Sequence, residues 1–500
     1  MRIALVPLDE RPVNVELPRE VAAIAGIELL LPPVEAMPRF REPADIGLLH
    51  EWLREIVAGP GIDHLVVCVD TLVHGGIIPA RITDDSTASV LRRLDILREL
   101  TVASPDLVVT AASLIMRASD SYSNVEEPGY WSAHGRELHA LGGDLHRLVE
   151  ADAAGRAHAE SAPSVTVPDA VRSDFELRRL RNHTINLAAL ALHEEGTIET
   201  LALTADDTAP HSAGSAEQLW LRHWARALPR GRAVMMYPGA DEVGAVLVAR
   251  AISAGSEAPR WSIVCAEAGG LDRVPNFENA PVLDSVTRQI VASGGAVSRV
   301  DGAADLVMVV HAPDPARGDF FGAAPYSDPD AVAGTVAAVR SALDSGAGVA
   351  LADVRFSNGG DPDLVDRLAE EGLLLRLWSY GGWNTAGNSI GGAVAQAAAQ
   401  WLGRRVGRFD ENEARRALLV RVLDDRAYQS GTRLAMSTDE FGGSIAPVAP
   451  DAQQAAITRI RRELQAYLDW VTRDAEPWRI TEVTLPWGRS FEIGLDLERP

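Results

Sequence analysis

The sequence predicts an α/β protein: a TIM-barrel-like parallel α/β unit, a second α/β unit and a small C-terminal α+β region. Short apolar runs alternate with longer amphipathic stretches, which is typical of parallel strands joined by helices. The 500 residues are too many for one ordinary hydrophobic core. The ten candidate strands also exceed one eight-stranded barrel, which takes about 250 residues.

The candidate strands are the apolar runs that punctuate the chain. They are 2–8, 27–32, 64–70, 106–113, 200–206, 233–238, 261–267, 306–312, 348–354 and 373–379, and a last short pair lies in RITEVTLP and SFEIGLDL. Helices are predicted at LPREVAAIAG, LLHEWLREIVAG, ASVLRRLDILREL and VAGTVAAVRSALDSG. We place a barrel-like catalytic domain at 1–250, a second α/β domain completing the site at 251–400, and a mostly helical region at 401–500. One large irregular barrel stays open as an alternative.

The charge and the residue types exclude several kinds of protein. Arg residues number 47 against 70 acidic residues, so the net charge of −23 disfavours nucleic acid and anionic membranes as partners. The chain contains no lysine, which excludes Schiff-base and pyridoxal-phosphate chemistry and lysine-bearing phosphate loops. Cys68 and Cys265 lie singly in apolar runs, as packing residues do. We therefore expect a small neutral or cationic ligand and no cofactor.

Targeting and metal signals are also missing from the sequence. The start MRIALVPLDERP reaches charged residues too soon for a signal peptide, and no apolar stretch approaches the ~20 residues of a membrane span. We expect a cytoplasmic protein. The twelve histidines include no H-E-x-x-H motif, so we expect no built-in metal. Whether the chain forms a homo-oligomer stays open.

Polar residues follow the predicted strands at the points where the strands end. Ligands of α/β proteins bind beyond the carboxyl ends of parallel strands, where loops vary without disturbing the core. A single aspartate there is often only a helix cap, but so many in one chain favour a polar pocket. Its candidate substrate-binding residues are Asp9, Arg11, Asp70, His74, Arg117 and Tyr237.

Two adjacent acid pairs are the candidate catalytic groups. Asp206 and Asp207 stand in TADDTAP, where Pro210 prevents an immediate helix start. Asp241 and Glu242 stand in YPGADEVG, where they could instead cap a helix. Neighbouring side chains of a strand point to opposite faces, so a pair can face one ligand only if the backbone leaves the strand. Paired carboxylates with different pKa values divide acid and base roles, as glycoside hydrolysis requires.

Two loops complete the candidate pocket. The segment SYGGWNTAGNSIGG provides Trp383, Asn384 and Asn388, an aromatic face and amides suited to a sugar ring, although a tightly packed helix start explains its glycines equally well. Its glycine spacing is not the dinucleotide fingerprint. The long polar segment 119–135 is a candidate lid.

The motifs LVPLDERPVN, DDTAP, YPGADEVG and YGGWNTAGNSIGG resemble a bacterial domain-of-unknown-function family, number forty-one twenty-seven, the LPLDERPVN family. The order of a strand ending in two aspartates and a later acidic turn is also similar to O-GlcNAcase-type hexosaminidases. GADEV resembles the G-G-D-E-V signature of another hexosaminidase family. These resemblances imply that the first acid of a pair orients the substrate acetamido group, that the second is the general acid/base, and that retention is substrate-assisted. The chain departs from both in offering two candidate pairs.

We therefore predict a retaining glycoside hydrolase of the β-N-acetylhexosaminidase (N-acetylglucosaminidase) type acting on a small carbohydrate. Asp206 would orient the acetamido group and Asp207 would protonate the leaving oxygen, or Asp241 and Glu242 would take these roles. One alternative is a metal-assisted hydrolase or lyase in which Asp9, Asp70, Asp206 and Asp241 gather a divalent cation. Another is a non-catalytic sugar-binding protein.

Overall fold

The computed structural model describes residues 1–59, 61–153, 164–298, 304–321, 323–439 and 447–499. The α/β class is confirmed, with parallel sheets, intervening helices and a small antiparallel sheet near the C-terminus. No helix among these residues is long and apolar enough to cross a membrane.

The described strands are short and mostly buried. They are β1 (Ile3–Val6), β2 (Leu29–Leu30), β3 (His64–Cys68), β4 (Val108–Ile115), β5 (Thr200–Ala205), β6 (Met235–Pro238), β7 (Arg260–Cys265), β8 (Ala296–Val297), β9 (Leu306–His311), β10 (Gly348–Asp353), β11 (Ser379–Gly381), β12 (Arg479–Thr484) and β13 (Gly494–Glu498). Central strands such as β1 and β9 are nearly continuous apolar runs, because parallel strands are covered on both faces.

The described α-helices connect these strands. They are α1 (Pro12–Ile24), α2 (Ile46–Ala58), α3 (Val69–His74), α4 (Ile77–Ile82), α5 (Thr87–Leu94), α6 (Ile96–Ala103), α7 (Trp131–Ala153), α8 (Asp169–Glu195), α9 (Ala213–Ala227), α10 (Val243–Ser253), α11 (Val282–Ala292), α12 (Pro329–Asp344), α13 (Pro362–Glu370), α14 (Ala386–Val406), α15 (Glu411–Arg421), α16 (Arg433–Asp439) and α17 (Pro450–Val471). A π-helical stretch, Val422–Thr432, joins α15 to α16.

The chain divides into two compact units. The first contains Met1–Glu10, Leu29–Leu247 and Phe277–Ala280. The second contains Arg11–Glu28, Val248–Asn276 and Pro281–Pro500. The predicted region 401–500 thus lies in the second unit, together with α1 from near the start of the chain.

The first unit contains a parallel sheet in the order β2-β1-β3-β4-β5-β6. Strand residues such as Val67 and Val109 share a buried cluster with Leu49 of α2 and Leu97 of α6. The sheet is open rather than a closed barrel: among the described strands, β2 pairs only with β1, and β6 only with β5. The expected barrel-like closure is therefore corrected. A closed barrel has no edge strands, whereas this sheet ends at two edge strands, β2 and β6.

The second unit repeats the strand order of the first. Its sheet runs β11-β10-β9-β7-β8, so the first strand again lies between the second and the third. This is the order of a doubly wound sheet, in which chain connections diverge from a switch point between the first and third strands. The switch points are β1/β3 in the first unit and β7/β9 in the second.

The C-terminal part of the second unit covers its sheet with helices and a hairpin. Strands β12 and β13 pair antiparallel, as predicted for the last two strand candidates. Ile480 and Leu497 of the hairpin, Leu464 of α17 and Val349 of β10 belong to one buried hydrophobic cluster. The hairpin and α17 thus belong to the same core as the second sheet.

Two glycines of the second unit give a matched test of this packing. A Cβ on Gly381 of β11 would lie 2.3 Å from the Ser389 carbonyl oxygen of α14, whereas one on Gly392 of α14 meets only Leu17 Cδ2 at 3.7 Å. We expect Gly381→Ala to lower the free energy of unfolding by about 1–3 kcal/mol through overpacking. Gly392→Ala should be neutral or stabilising, since alanine favours the helix. Urea unfolding of both variants checks this, and equal effects would contradict it.

Candidate functional site

The carboxyl ends of β1 and β3 form the switch point of the first sheet. Asp9 and Asp70 follow these strands and are 2% and 6% exposed. Asp70 Oδ2 accepts a hydrogen bond from the Leu114 N–H at 2.9 Å. Burial raises the pKa of Asp70 to about 7. The sheet therefore holds two buried acids where ligands of doubly wound sheets bind.

The backbone leaves β5 at the first acid pair. The Asp206 N–H donates to the Ile115 carbonyl at 3.2 Å, which extends the strand pairing. Asp207 then takes a positive φ of 25°, and the Thr208 N–H donates to the Phe277 carbonyl at 2.7 Å. A positive φ is costly for an aspartate and is retained only where its surroundings fix it. Because neighbouring side chains of a strand point to opposite faces, both aspartates can face one ligand only where the backbone leaves the strand in this way.

Two arginines form ion pairs with the acids around this turn. Arg81 Nη2 lies 2.6 Å from Asp206 Oδ2, and Arg117 Nη1 lies 2.7 Å from Asp207 Oδ2. Glu126 Oε2 bridges the two guanidinium groups, at 3.3 Å from Arg81 Nη1 and 2.6 Å from Arg117 Nη2. Glu127 Oε1 also contacts both, at 3.5 and 2.9 Å. We call these six residues the arginine–carboxylate cluster.

The two aspartates of the cluster occupy unequal environments. The Asp206 side chain is 9% exposed and faces the nearly buried Arg81. The Asp207 side chain is 28% exposed. Burial and the Asp206 charge raise the pKa of Asp207 to about 6, against the lowering effect of Arg117. Asp207 can therefore hold a proton close to neutral pH and still reach a ligand.

The carboxylates also act on Arg117. Its burial lowers the pKa of the guanidinium, but attraction by Glu126, Glu127 and the two aspartates outweighs this and raises the pKa well above the ordinary value. Arg117, a predicted site residue, is thus a permanent cation of the cluster.

The loop predicted as a lid supplies Glu126 and Glu127. The Arg41 guanidinium donates to the carbonyl oxygens of Asn124, Val125 and Glu127 at 2.8–3.2 Å. Arg41 and both arginines of the cluster bind this loop. Its described contacts therefore hold it in place beside the cluster.

The second acid pair lies just after β6 and is buried. Glu242 is fully buried, and its Oε2 accepts from the Ala240 N–H at 3.1 Å. Gly239 has φ 153°, and a Cβ there would lie 2.0 Å from Glu242 Oε1, so the turn needs glycine. Burial, with a contribution from Asp241, raises the pKa of Glu242 to about 8. Asp241 is 4% exposed and Tyr237 is completely buried. Their catalytic and binding roles stay predictions.

His74 and Arg11 occupy different surroundings. His74 ends α3 in the first unit, where burial lowers its pKa well below the ordinary value and favours the neutral ring. Arg11 is the first residue of the chain that belongs to the second unit. Its Nη1 lies 3.2 Å from Glu492 Oε2, and its guanidinium lies 4.6 Å from the Trp487 ring centroid. These contacts pair and pack the Arg11 side chain, and its substrate-binding role stays a prediction.

The glycine-rich segment belongs to the second unit. It contains β11 and the start of α14, where Thr385 caps the helix by accepting from the Asn388 N–H. Trp383 is 4% exposed, and its ring packs 5.8 Å from Phe491. Asn384 has a positive φ of 61°. The segment is therefore a helix start, and sugar binding by Trp383, Asn384 and Asn388 stays a prediction.

The carboxyl end of the second sheet carries its own buried polar groups. Arg355 Nη1, after β10, lies 2.6 Å from Glu267 Oε2, after β7, and Arg273 Nη1 lies 3.0 Å from Glu267 Oε1. His311 Nε2 lies 3.2 Å from Asp361 Oδ2, and both are completely buried. The Glu267 carboxylate thus lies between two guanidinium groups within the second unit.

Sequence reasoning missed Arg81, Glu126 and Glu127. The adjacent glutamates in VEEPG, inside the loop predicted as a lid, were the sequence feature that could have indicated Glu126 and Glu127 as site residues. Arg81 gave no local signal, because its partner Asp206 lies 125 positions away. In the described part of the chain, no three His, Cys, Asp or Glu side chains are grouped as a metal site would require.

Comparison with known proteins supports the family resemblance. A family model described as "Protein of unknown function (DUF4127)" matches residues 3–496. No curated protein and no solved structure gives a match.

The raised pKa of Glu242 predicts a pH-dependent effect on stability. Folded Glu242 keeps its proton up to about pH 8, whereas the unfolded side chain releases it near its ordinary value of 4.5. Wild-type stability should thus fall as pH rises between these values. We expect the free energy of unfolding of Glu242→Gln, measured relative to that of the wild type, to increase by more than about 1 kcal/mol from pH 5 to pH 9. The reason is that one pKa unit equals about 1.4 kcal/mol.

Urea unfolding at several pH values measures this gain. Glu99→Gln is the matched control, since Glu99 is exposed and its hydrogen bond to Arg54 lowers its pKa. That variant should show no gain as pH rises. A Glu242→Gln difference that does not change with pH would contradict the assigned environment.

Proposed function

Because the chain belongs to the DUF4127 family of proteins of unknown function, we propose a function from its site: a retaining glycoside hydrolase of the β-N-acetylhexosaminidase type. In this proposal the first unit is catalytic. Asp206 orients and charge-stabilises the acetamido group of the substrate, and Asp207 is the general acid/base. The proposed location is the cytoplasm.

The unequal environment of the two aspartates carries the proposal. A general acid has to keep its proton near neutral pH and reach the substrate, and Asp207 combines a pKa of about 6 with a side chain 28% exposed. A charge-stabilising group is better held in place, and Asp206 is fixed 2.6 Å from Arg81. Two carboxylates with separate environments are the usual basis of divided acid and base roles.

The proposed reaction has two steps. In the first, Asp207 gives its proton to the glycosidic oxygen as the C1–O bond breaks, and the N-acetyl carbonyl oxygen bonds to C1. In the second, water attacks C1 and opens the oxazoline-type ring, while the Asp207 carboxylate accepts the proton from that water. Two displacements at C1 retain its configuration.

A second candidate is a non-catalytic sugar-binding protein. The observation that favours it is that each carboxylate of the arginine–carboxylate cluster contacts an arginine, an arrangement that suits fixed hydrogen bonding to hydroxyl groups. Such a protein would bind N-acetylhexosamine without turnover. The metal-assisted hydrolase, with Asp9, Asp70, Asp206 and Asp241 as ligands, would lose its activity on chelation.

We expect purified protein to hydrolyse 4-nitrophenyl N-acetyl-β-hexosaminides and not plain hexosides, with and without a chelator. Asp207→Ala should lose about 10²–10⁴-fold in kcat on alkyl glycosides, whose poor leaving groups need a proton. It should lose much less on the 4-nitrophenyl glycoside, whose leaving group departs as a stable anion. Asp206→Ala should lose rate on both, because the intermediate is then unsupported.

Asp85→Asn is the matched control, since Asp85 also pairs with an arginine, Arg93, at 2.8 Å but lies outside the cluster. It should leave kcat unchanged. Leaving-group dependence in Glu242→Ala instead of Asp207→Ala would transfer the roles to the second pair. Saturable sugar binding with no turnover on the whole panel would favour the binding protein, and activity abolished by chelation would favour the metal-assisted hydrolase.

A further inference from the structure

A cleft of about 600 Å³ opens in the C-terminal part of the second unit, within the size range of small-ligand sites. It lies among the end of α13, the start of α15 and the residues that follow α17. We call it the Arg415 cleft. Its lining residues include Leu374, Glu411, Arg415, Arg473, Trp478 and Arg499.

Two of the three arginines in this cleft are neutralised by acids beside them. Arg499 forms an ion pair with Glu476, and its Nη1 donates to Asn412 Oδ1 at 3.0 Å. Arg473 Nε lies 3.4 Å from Asp474 Oδ2. These ion pairs balance the positive charges of Arg499 and Arg473 at the rim of the cleft.

Arg415 differs from the other two. Its Nη1 donates to the Leu375 carbonyl at 2.5 Å, and among the described residues no carboxylate oxygen lies within ion-pair distance of its guanidinium. Burial lowers the pKa of Arg415, and only Glu411 opposes this effect. A guanidinium has five N–H donors, so the single described hydrogen bond leaves most of them for another acceptor.

Apolar side chains stand beside this cation. Leu374 is fully buried, and Val471 and Trp478 are each 7% exposed and also line the cleft. A pocket with an apolar wall and one arginine that has no ion-pair partner among the described residues suits a ligand that carries an oxyanion on an apolar body.

We propose that the Arg415 cleft binds a small organic oxyanion, a carboxylate or phosphate ester with an apolar body, whose oxygens accept from the Arg415 guanidinium. This site is separate in residues from the arginine–carboxylate cluster and does not rest on the proposed glycosidase. Glu411 lies one helical turn before Arg415 on α15 and adds an opposing charge, so the ligand should carry a low negative charge.

Titration calorimetry of the full chain with benzoate, phenyl phosphate and inorganic phosphate tests the proposal. We expect saturable binding of the two aromatic probes and weaker binding of inorganic phosphate, which has no apolar body. Arg415→Gln should weaken binding about tenfold or more, the usual effect of losing a charged hydrogen-bond partner. Glu411→Gln should tighten it a few-fold by removing the opposing charge. Arg462→Gln, an exposed change outside the cleft, should leave affinity unchanged.

Several outcomes would overturn the proposal. They are no saturable binding of either aromatic probe by the wild type, unchanged affinity in Arg415→Gln, or inorganic phosphate binding as tightly as phenyl phosphate. If Arg415→Gln does not fold, the exposed Glu411→Gln change decides alone: tighter binding supports the site and unchanged binding overturns it. Loss of hydrolytic activity in the cluster variants has no bearing on these measurements.

Discussion

The bridge that Glu126 makes between Arg81 and Arg117 is the constraint on which the candidate site depends. Four carboxylates gathered within a few ångströms would repel one another strongly in a partly buried setting, and the two guanidinium groups make the arrangement tolerable. Removing one arginine would leave buried charges uncompensated, at a cost of about 3–5 kcal/mol. Asp207, whose backbone takes a positive φ of 25°, is one of the carboxylates that this network pairs with an arginine.

The two units use one strand order and place their polar residues by one rule. In each, the first strand lies between the second and third, and acids follow the strands on either side of the switch point, such as Asp70 in the first unit and Glu267 in the second. The chemistry at the two edges differs. In the first unit four acids share two arginines, whereas in the second Glu267 pairs with Arg273 and Arg355, and Arg355 Nη2 also lies 3.9 Å from Asp314 Oδ1 and 3.6 Å from Asp328 Oδ2. Acids outnumber arginines in both groups, and in the first unit Glu126 and Glu127 each contact both guanidinium groups.

Much of the fold could be predicted from apolar periodicity, since most strand candidates coincide with observed strands. The failures have local causes. β8 has only two residues and gives no periodic signal. The leucines of 373–379 mainly form a 3-10 turn, Leu374–Arg376, before β11 begins at Ser379. The predicted helix over 88–100 divides at Asp95 into α5 and α6. At the site, strand ends indicated Asp206, Asp207 and Arg117, but pairing with Arg81 depends on tertiary structure that no local pattern encodes.

Perturbed acidity by itself does not identify a functional group in this protein. Burial raises the pKa of Asp70 and Asp425 to about 7 and that of Asp353 to about 6, yet these side chains are nearly or completely enclosed and hold backbone N–H groups. Their raised pKa values follow from enclosure, and a substrate could reach them only if the structure opened. Asp207 combines a raised pKa with partial exposure, and the negative charge of Asp206 contributes to the rise of that pKa. General acid catalysis requires both a retained proton and access to the leaving oxygen, so this combination singles out Asp207 as the candidate acid.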